Sequence, residues 1–409
     1  MPAPSPLAPD RFPVLPPIPG VRLAAYAAGV RYAGRTDLMV AELMPGSTVA
    51  GVFTQSTMPG QPVVWCRECL PGGRVRAIVV NSGNANVFTG RAGRAVVENT
   101  AATAARLFDC GPREVFISST GVIGEPPPAD RISAALPHVV PLLAGDAWET
   151  AARAIMTTDT FPKGAAATAT IGGTTVRLNG FAKGSGMIAP NMATMLAYLF
   201  TDAALPQSTL QPLLAAAAER SFNSMTVDGD TSTSDTVLLC ATGQTRHPAP
   251  SSPDDKLLDD FRRALDAVAT DLAKQIARDG EGAQKFVTIE VSGAESEQAA
   301  RRIGLAIGNS PLVKTAIAAG DANWGRIVMA VGKSGEKAER DRLSVAVGGV
   351  RIAAEGGPVP GYDEGPVAAH MAGRDIHIAV DIGLGQGRAT VWTCDLTHGY
   401  IDINGSYRS

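Results

Sequence analysis

Hydrophobic and polar positions along the 409-residue chain follow two rhythms. Short apolar or alternating runs predict strands: "AIVVNSGNANV", "EVFISSTGVIG", "TVLLCATG" and "KFVTIEVSG". Apolar residues three and four apart predict helices over "AGRAVVENTAATAARLF", "DAWETAARAIMTTDT", "LQPLLAAAAERSFNSM" and "DKLLDDFRRALDAVATDLAKQIARDGEG", the last ending at Gly280. "TATIGGTTVRLNGFAKG" predicts a hairpin turning at Gly172 and Gly173, where glycine supplies the positive φ of a tight turn. "SEQAARRIGLAIGNSPLVKTAI" predicts a helix broken at Pro311, and the tail, "RLSVAVGGVRIA" through "DIHIAVDIGLGQGRATVWTCDLTHGYIDING", predicts mostly strands. Hairpins mixed with long helices point to an α+β (α/β layered) fold of stacked helix and sheet, not to a doubly wound parallel sheet. There is no internal repeat.

The start of the chain breaks both rhythms. "MPAPSPLAPDRFPVLPPIPG" holds eight prolines in twenty residues, which predicts an extended, partly mobile arm over residues 1–19. It lacks a cationic start leading into an apolar core, so it reads as neither signal peptide nor membrane anchor. No apolar run reaches the length of a bilayer span; "GMIAPNMATMLAYLF" is short and interrupted by Pro190 and Asn191. A soluble, cytoplasmic protein is expected.

Composition adds exclusions. Thirty-six basic residues against 39 acidic ones give a net charge of −3 with no basic stripe, which argues against a nucleic-acid partner. Five scattered cysteines, Cys66, Cys69, Cys110, Cys240 and Cys394, do not resemble a secreted disulfide framework and suggest a reducing compartment. "CREC" has no second cysteine pair and no nearby histidine, so two ordinary half-buried thiols are expected there rather than a metal or redox site.

Chemistry gathers around polar strings at the ends of predicted elements. "KGSGMIAPNMATMLAYLFTDA" sets one hydroxyl, Thr194, after the small residue Ala193 and ahead of the buried strand "MLAYLF". A small-residue–threonine bond in such a setting is a candidate for self-cleavage, because a threonine at a chain N-terminus gains its own amine as base. On this segment alone, a satisfied hydroxyl at a β-branched strand position is the stronger reading. "SSTGVIG" places Thr120 and Gly121 where a hydroxyl and a backbone N–H could stabilise an oxyanion, although such turns are more often only structural. "MTTDT" supplies Thr157 and Thr158 for a polar substrate or, equally, a cap on the preceding helix. Lys183 could balance a substrate carboxylate; an exposed loop lysine is the duller alternative.

"DGDTSTSDT" lacks the spacing of a calcium loop and reads as a hydrogen-bonded turn supporting the site. In "RDGEGAQK", Glu281 lies just past a helix C-terminus, the unfavourable end of the dipole, which hints at a role other than stability. Lys314, Asp321, Asn323, Trp324 and Arg326, in "NSPLVKTAIAAGDANWGRIVMAVG", read as structural or interfacial. No phosphate loop, dinucleotide fingerprint or nucleophile elbow occurs. No histidine stands near a nucleophile in the sequence, so the Ser-His-Asp and Cys-His solutions are poorly supported.

Taken in order, "STGVIG", "MTTDT", "AKGSGMIAPNMATML", "DGDTSTSDT", "DGEGA", "NSPLVKTA", "DANWGR", "CDLT" and "INGSYRS" resemble the bacterial ornithine acetyltransferases of arginine biosynthesis (glutamate N-acetyltransferase). The likeness spans nearly the whole chain, with only the proline-rich arm outside it. It implies a precursor that cuts itself between Ala193 and Thr194 into an α chain, 1–193, and a β chain, 194–409, paired as an α₂β₂ heterotetramer. It implies an αββα sandwich similar to, but connected differently from, the N-terminal-nucleophile hydrolases. The family's oxyanion donors fall on Thr120 and Gly121, and its substrate contacts on Thr157, Lys183, Thr194, Glu281, Asn404 and the final residue. That last position is often threonine and is Ser409 here.

The expected reaction moves the acetyl group of N2-acetylornithine to glutamate through acetyl-Thr194, with no metal, nucleotide or organic cofactor. Some family members also accept acetyl-CoA as donor, an option these residues leave open. Two rivals remain at this point: an autoprocessed amidase or aminopeptidase of related fold, in which water replaces glutamate, and a non-catalytic oligomeric binding scaffold.

Overall fold

The computed structural model describes residues 3–31, 34–125, 127–128, 130–189 and 195–405, whose strands form three sheets. The first has the order β1 (Val21–Tyr26), β2 (Leu38–Leu43), β4 (Ala77–Asn84), β5 (Val115–Val122). The second runs β3 (Thr48–Phe53), β9 (Thr236–Thr245), β8 (Leu196–Ala203), β7 (Thr174–Lys183), β6 (Lys163–Ile171). Helices α1 (Gln61–Cys69), α2 (Gly90–Phe108) and α3 (Arg131–Val139) share a hydrophobic core with the first sheet, and α5 (Gln207–Arg220) and α6 (Asp259–Arg278) cover the far side of the second. The layers are therefore α, β, β, α, as expected.

Strand β8 shows why the sheets stack. Leu196, Tyr198 and Phe200 point into the core shared with the first sheet, while Ala197, Leu199 and Ala203 point toward α5 and α6. A strand apolar on both faces is stable only between two layers, each fully buried large side chain contributing about 1.5–3 kcal/mol. Helix α4 (Trp148–Ala154) packs against β1 and β2 of one sheet and β6 and β7 of the other. Its Trp148 ring meets Phe200 and Phe181 edge-on at 5.7 and 6.3 Å between centroids.

The predicted hairpin is β6–β7, with Ile171 opposite Thr174 across the two glycines. The expectation of a partly mobile arm needs correction. The arm is extended, as its prolines dictate, but Leu7, Leu15 and Ile18 are buried. Pro16 O accepts from Asn179 Nδ2 at 2.7 Å, and Pro19 O accepts from the Thr242 hydroxyl at 2.8 Å. The apolar residues between the prolines have a sheet to cover. Cys66 and Cys69 are fully rather than half buried, because α1 turns both toward the first sheet.

The third sheet has the order β13 (Gly357–Pro358), β12 (Val350–Ala354), β11 (Ser344–Val347), β14 (Asp375–Asp381), β10 (Phe286–Ala294), β15 (Gly387–Cys394). Its core is shared with α7 (Glu297–Gly308), α8 (Pro311–Ala318), α9 (Trp324–Gly332) and α10 (Glu364–Ala372). Pro311 opens α8 at its first position, where a missing N–H costs nothing, so the break is also a start. The tail is less purely strand-like than expected: α10 interrupts it, and α11 (His398–Gly405) closes the described chain. Phe286, Trp392 and Cys394 join this part to the core beneath α6. No helix among the described residues is long and apolar enough to cross a membrane.

Candidate active site

A cavity of about 230 Å³ opens where the two sandwich sheets, the loop after α6 and α11 meet. Thr120, Gly121, Thr157, Thr158, Lys183, Glu281 and Asn404 all line it, although they span 285 positions of sequence from Thr120 to Asn404 counted inclusively. The structure thus brings together every sequence-predicted site residue it describes. Ala193, Thr194 and Ser409 lie outside the described residues.

Each element delivers its group for a local reason. Thr120 and Gly121 lie in the last three residues of β5, with Gly121 paired to Gly83 of parallel β4. Gly121 has φ +129°, and a Cβ there would lie 2.3 Å from the Gly83 carbonyl carbon, so only glycine fits. Thr157 and Thr158 follow α4. Lys183 is the last residue of β7, paired with Leu196 of β8, and only 2% exposed, which excludes the exposed-loop alternative. A Cβ on Gly186 would lie 2.3 Å from Glu281 Oε2, so that glycine makes room for the carboxylate. Gly282 packs so closely on Gly399 and Tyr400 that α11 is seated on the Glu281 loop.

Polar contacts fix these groups. Lys183 Nζ donates to Thr157 Oγ1 at 2.8 Å and to Thr120 Oγ1 at 3.4 Å. Asn404 Nδ2 donates to Glu281 Oε2 at 2.7 Å. Burial lowers the Lys183 ammonium below the usual lysine range, against the attraction of Asp159. Burial raises the Glu281 carboxyl, with the hydrogen bonds from Asn404 and Thr158 opposing it. The pocket therefore sets a cationic group and an anionic group on its walls, both poised by desolvation, beside a hydroxyl and a glycine backbone. Such an arrangement can hold a zwitterionic or dicarboxylate molecule and stabilise negative charge on a carbonyl oxygen. Among the described residues, no group of three or more His, Cys, Asp or Glu could hold a metal ion.

Several residues here were missed in the sequence. The turn "DGDTSTSDT" does more than support the site: Ser232, Thr233 and Ser234 form a wall of the cavity. Asp228 caps the opposite loop, accepting from Met187 N at 2.6 Å and Ile188 N at 2.9 Å. Asp235 is fully buried, its Oδ1 accepting from Met195 N at 2.8 Å, and burial raises its carboxyl well above the usual range. Asp159 was visible only as one more polar letter in "MTTDT". A carboxylate followed four residues later by Lys163 was the available signal, but Asp279, their third partner, is too distant in sequence to pair by inspection.

Comparison with known proteins gives a consistent family. The ArgJ family model matches residues 22–409. The arginine biosynthesis bifunctional protein ArgJ of Gluconobacter oxydans (strain 621H) is 61% identical over 405 residues, 99% of this chain and 95% of the relative. Its namesake from Rhizobium meliloti (strain 1021) is 55% identical over 408 residues, 99% of both chains. The family model begins past the proline-rich arm, as expected, while the alignments with the two relatives extend into it. A crystal structure of arginine biosynthesis bifunctional protein argJ from Bacillus halodurans is 40% identical and covers 50% of this chain and 96% of its own, with a TM-score of 0.49.

Proposed function

The chain belongs to the ArgJ family, and from that premise we propose that it transfers the acetyl group of N2-acetylornithine to glutamate, giving ornithine and N-acetylglutamate, in arginine biosynthesis. The observation that carries the site assignment is the single cavity that collects Thr120, Gly121, Thr157, Lys183, Glu281 and Asn404 from both halves of the sequence.

The proposed nucleophile is Thr194, two residues before Leu196, the strand partner of Lys183. In the precursor the Thr194 hydroxyl attacks the Ala193 carbonyl, the amide becomes an ester, and water cleaves it, leaving chains 1–193 and 194–409. The freed α-amine, with an ordinary pKa of roughly 7.7–8.0, then accepts the hydroxyl proton near neutral pH. Thr194 attacks the acetyl carbonyl while Thr120 and Gly121 hold the oxyanion, donors of a kind worth about 3–4 kcal/mol each. Ornithine leaves carrying the proton, acetyl-Thr194 remains, and the glutamate amine takes the acetyl group in the same pocket, a ping-pong sequence.

Lys183 anchors the α-carboxylate common to both substrates, and Glu281 meets the ornithine ammonium. Asn404, held on Glu281, and Ser409 orient the substrates' remaining polar groups. The two chains stay together as a cytoplasmic α₂β₂ heterotetramer; the site residues leave open whether acetyl-CoA serves as a second donor. Intact mass with N-terminal sequencing tests the proposal. Wild-type protein should give two fragments, the second beginning at Thr194, and should form N-acetylglutamate; Thr194→Ala should give one intact chain and no turnover. An uncut wild-type chain, or acetate in place of N-acetylglutamate, overturns it.

A further inference from the structure

Beneath the cavity, three buried charges that the acetyl-transfer steps leave unused, Asp159, Lys163 and Asp279, reach up to Lys183. Lys163 Nζ donates to Asp159 Oδ1 at 2.7 Å and Asp279 Oδ2 at 2.6 Å, with all three side chains at or near zero exposure. Lys183 Nζ stands 3.8 Å from Asp159 Oδ2. Asp159 also accepts two backbone N–H groups, that of the wall residue Thr157 on Oδ2 at 3.0 Å and that of Gly184, next to the wall residue Lys183, on Oδ1 at 2.6 Å. Asp279 is tied in turn by Thr160, through its N–H at 2.9 Å and its hydroxyl at 2.5 Å.

Replacing such a cluster by apolar residues is often neutral or stabilising, so stability alone is a poor reason for it. Its geometry supplies a better one. Asp159 fixes the backbone at Thr157 and beside Lys183, the two residues whose side chains bond across the pocket wall. Granted the acetyl-transfer reading above, we propose that Asp159 is the positioning residue of the substrate pocket: it aligns Thr157 and Lys183 and sets the charge on Lys183, with the Lys163–Asp279 pair as its counterweight.

The signs follow from what faces Lys183. These groups are Asp159 from the loop after α4, Lys163 from β6, Glu281 from the loop after α6 and Asp235 from the loop before β9. Burial pushes Lys183 toward its neutral form; Asp159 opposes that push and Lys163 adds to it. Burial would also raise the Asp159 carboxyl, but Lys163 and Lys183 together hold it below the ordinary carboxylate range, so it stays ionised. Removing the Asp159 charge should therefore make Lys183 lose its proton at lower pH, and removing the Lys163 charge should let Lys183 keep it to higher pH. Glu281 and Asp235 are common to both variants.

The test is the pH dependence of KM for N2-acetylornithine, kept separate from kcat, in the self-cleaved enzyme. In wild type, KM should rise at alkaline pH as the anion anchor discharges. The rise should begin at lower pH in Asp159→Asn and at higher pH in Lys163→Met. Asp279→Asn should follow Asp159→Asn with a smaller shift, and Lys183→Arg, always charged, should abolish the rise. A scaffold role alone would raise KM or lower kcat without moving the limbs in opposite directions. Should the aspartate and lysine variants be insoluble, binding of N-acetylglutamate to wild type decides. Calorimetry in buffers of differing ionisation enthalpy should show proton uptake on the alkaline limb that is lost in Lys183→Arg. Limbs that stay fixed or move together, or binding without proton uptake, overturn this inference while acetyl transfer by wild type leaves the proposed function standing; absence of acetyl transfer would overturn that function instead.

Discussion

The sandwich and the third sheet handle polarity in different ways. In the sandwich, β8 is buried on both faces, yet the same layers enclose Asp159, Lys163, Lys183, Asp235 and Asp279. In the third sheet, β14 alternates: Ile376, Ile378 and Val380 are buried, while Asp375 and Asp381 are exposed. From β10 to Asp395 the buried polar residues among those described are Ser310, Lys314, Thr393 and Asp395. Lys314 spends its donors on Thr393 Oγ1 and the Cys394 carbonyl, a closed internal arrangement. The third sheet obeys the ordinary rule of apolar in and polar out. The sandwich breaks it at Glu42, Asn179 and Asp202 as well, but most densely at the end where the cavity lies. Departures of this kind are expected where function outweighs stability.

The sharpest way to break this contrast is at β5. Gly121→Ala would drive a Cβ into the Gly83 backbone, which cannot move as a flexible side chain could. Displacing the oxyanion donor should cost about 10²–10³ in kcat, read by steady-state acetyl transfer. Retention of full activity would remove the Thr120–Gly121 assignment.

Next in size is Glu281→Gln. Because burial raises the Glu281 carboxyl, it takes up a proton at higher pH than an ordinary glutamate, so kcat/KM for N2-acetylornithine should fall on acidification from above the usual range near 4.3. The amide should remove that acid limb and lower kcat/KM at neutral pH roughly ten- to hundredfold, the value of a charged hydrogen bond of about 1.5–3 kcal/mol. An unchanged pH profile would reassign the carboxylate to structure.

The smallest effect on turnover is expected in the other region. Ile289→Ala, in the third sheet's core, should lower stability by about 2–5 kcal/mol in thermal or urea unfolding, yet leave the kcat of folded enzyme within about twofold. A large loss of kcat there would erase the distinction between the two regions.

Much of this was legible beforehand, for particular reasons. The β6–β7 hairpin was written in Gly172 and Gly173, and α6 in a long periodic stretch ending before Gly280, because turns and amphipathic faces are local. Helix α11 was hidden inside a strand-rich tail because it has no buried residue and hence no apolar stripe to betray it. It is held by Asn404 on Glu281, Tyr400 Oη on Asp228 and Thr397 Oγ1 on the Gly282 carbonyl. The arm was misjudged because composition records flexibility of the free chain, not the face it will cover.

The sequence by itself determined the chemical alphabet and the family: the strings from "STGVIG" to "INGSYRS" name the groups, and strand and helix periods name the layers. Tertiary structure alone decided which of those groups share a cavity, that Lys183 is buried beside Asp159, and that Asp279 reaches Lys163 across 116 positions. The reason is physical. Hydrophobic periodicity is a property of neighbours along the chain, whereas desolvation and the balance of buried charges depend on what packs around a group, and that exists only once the layers have closed.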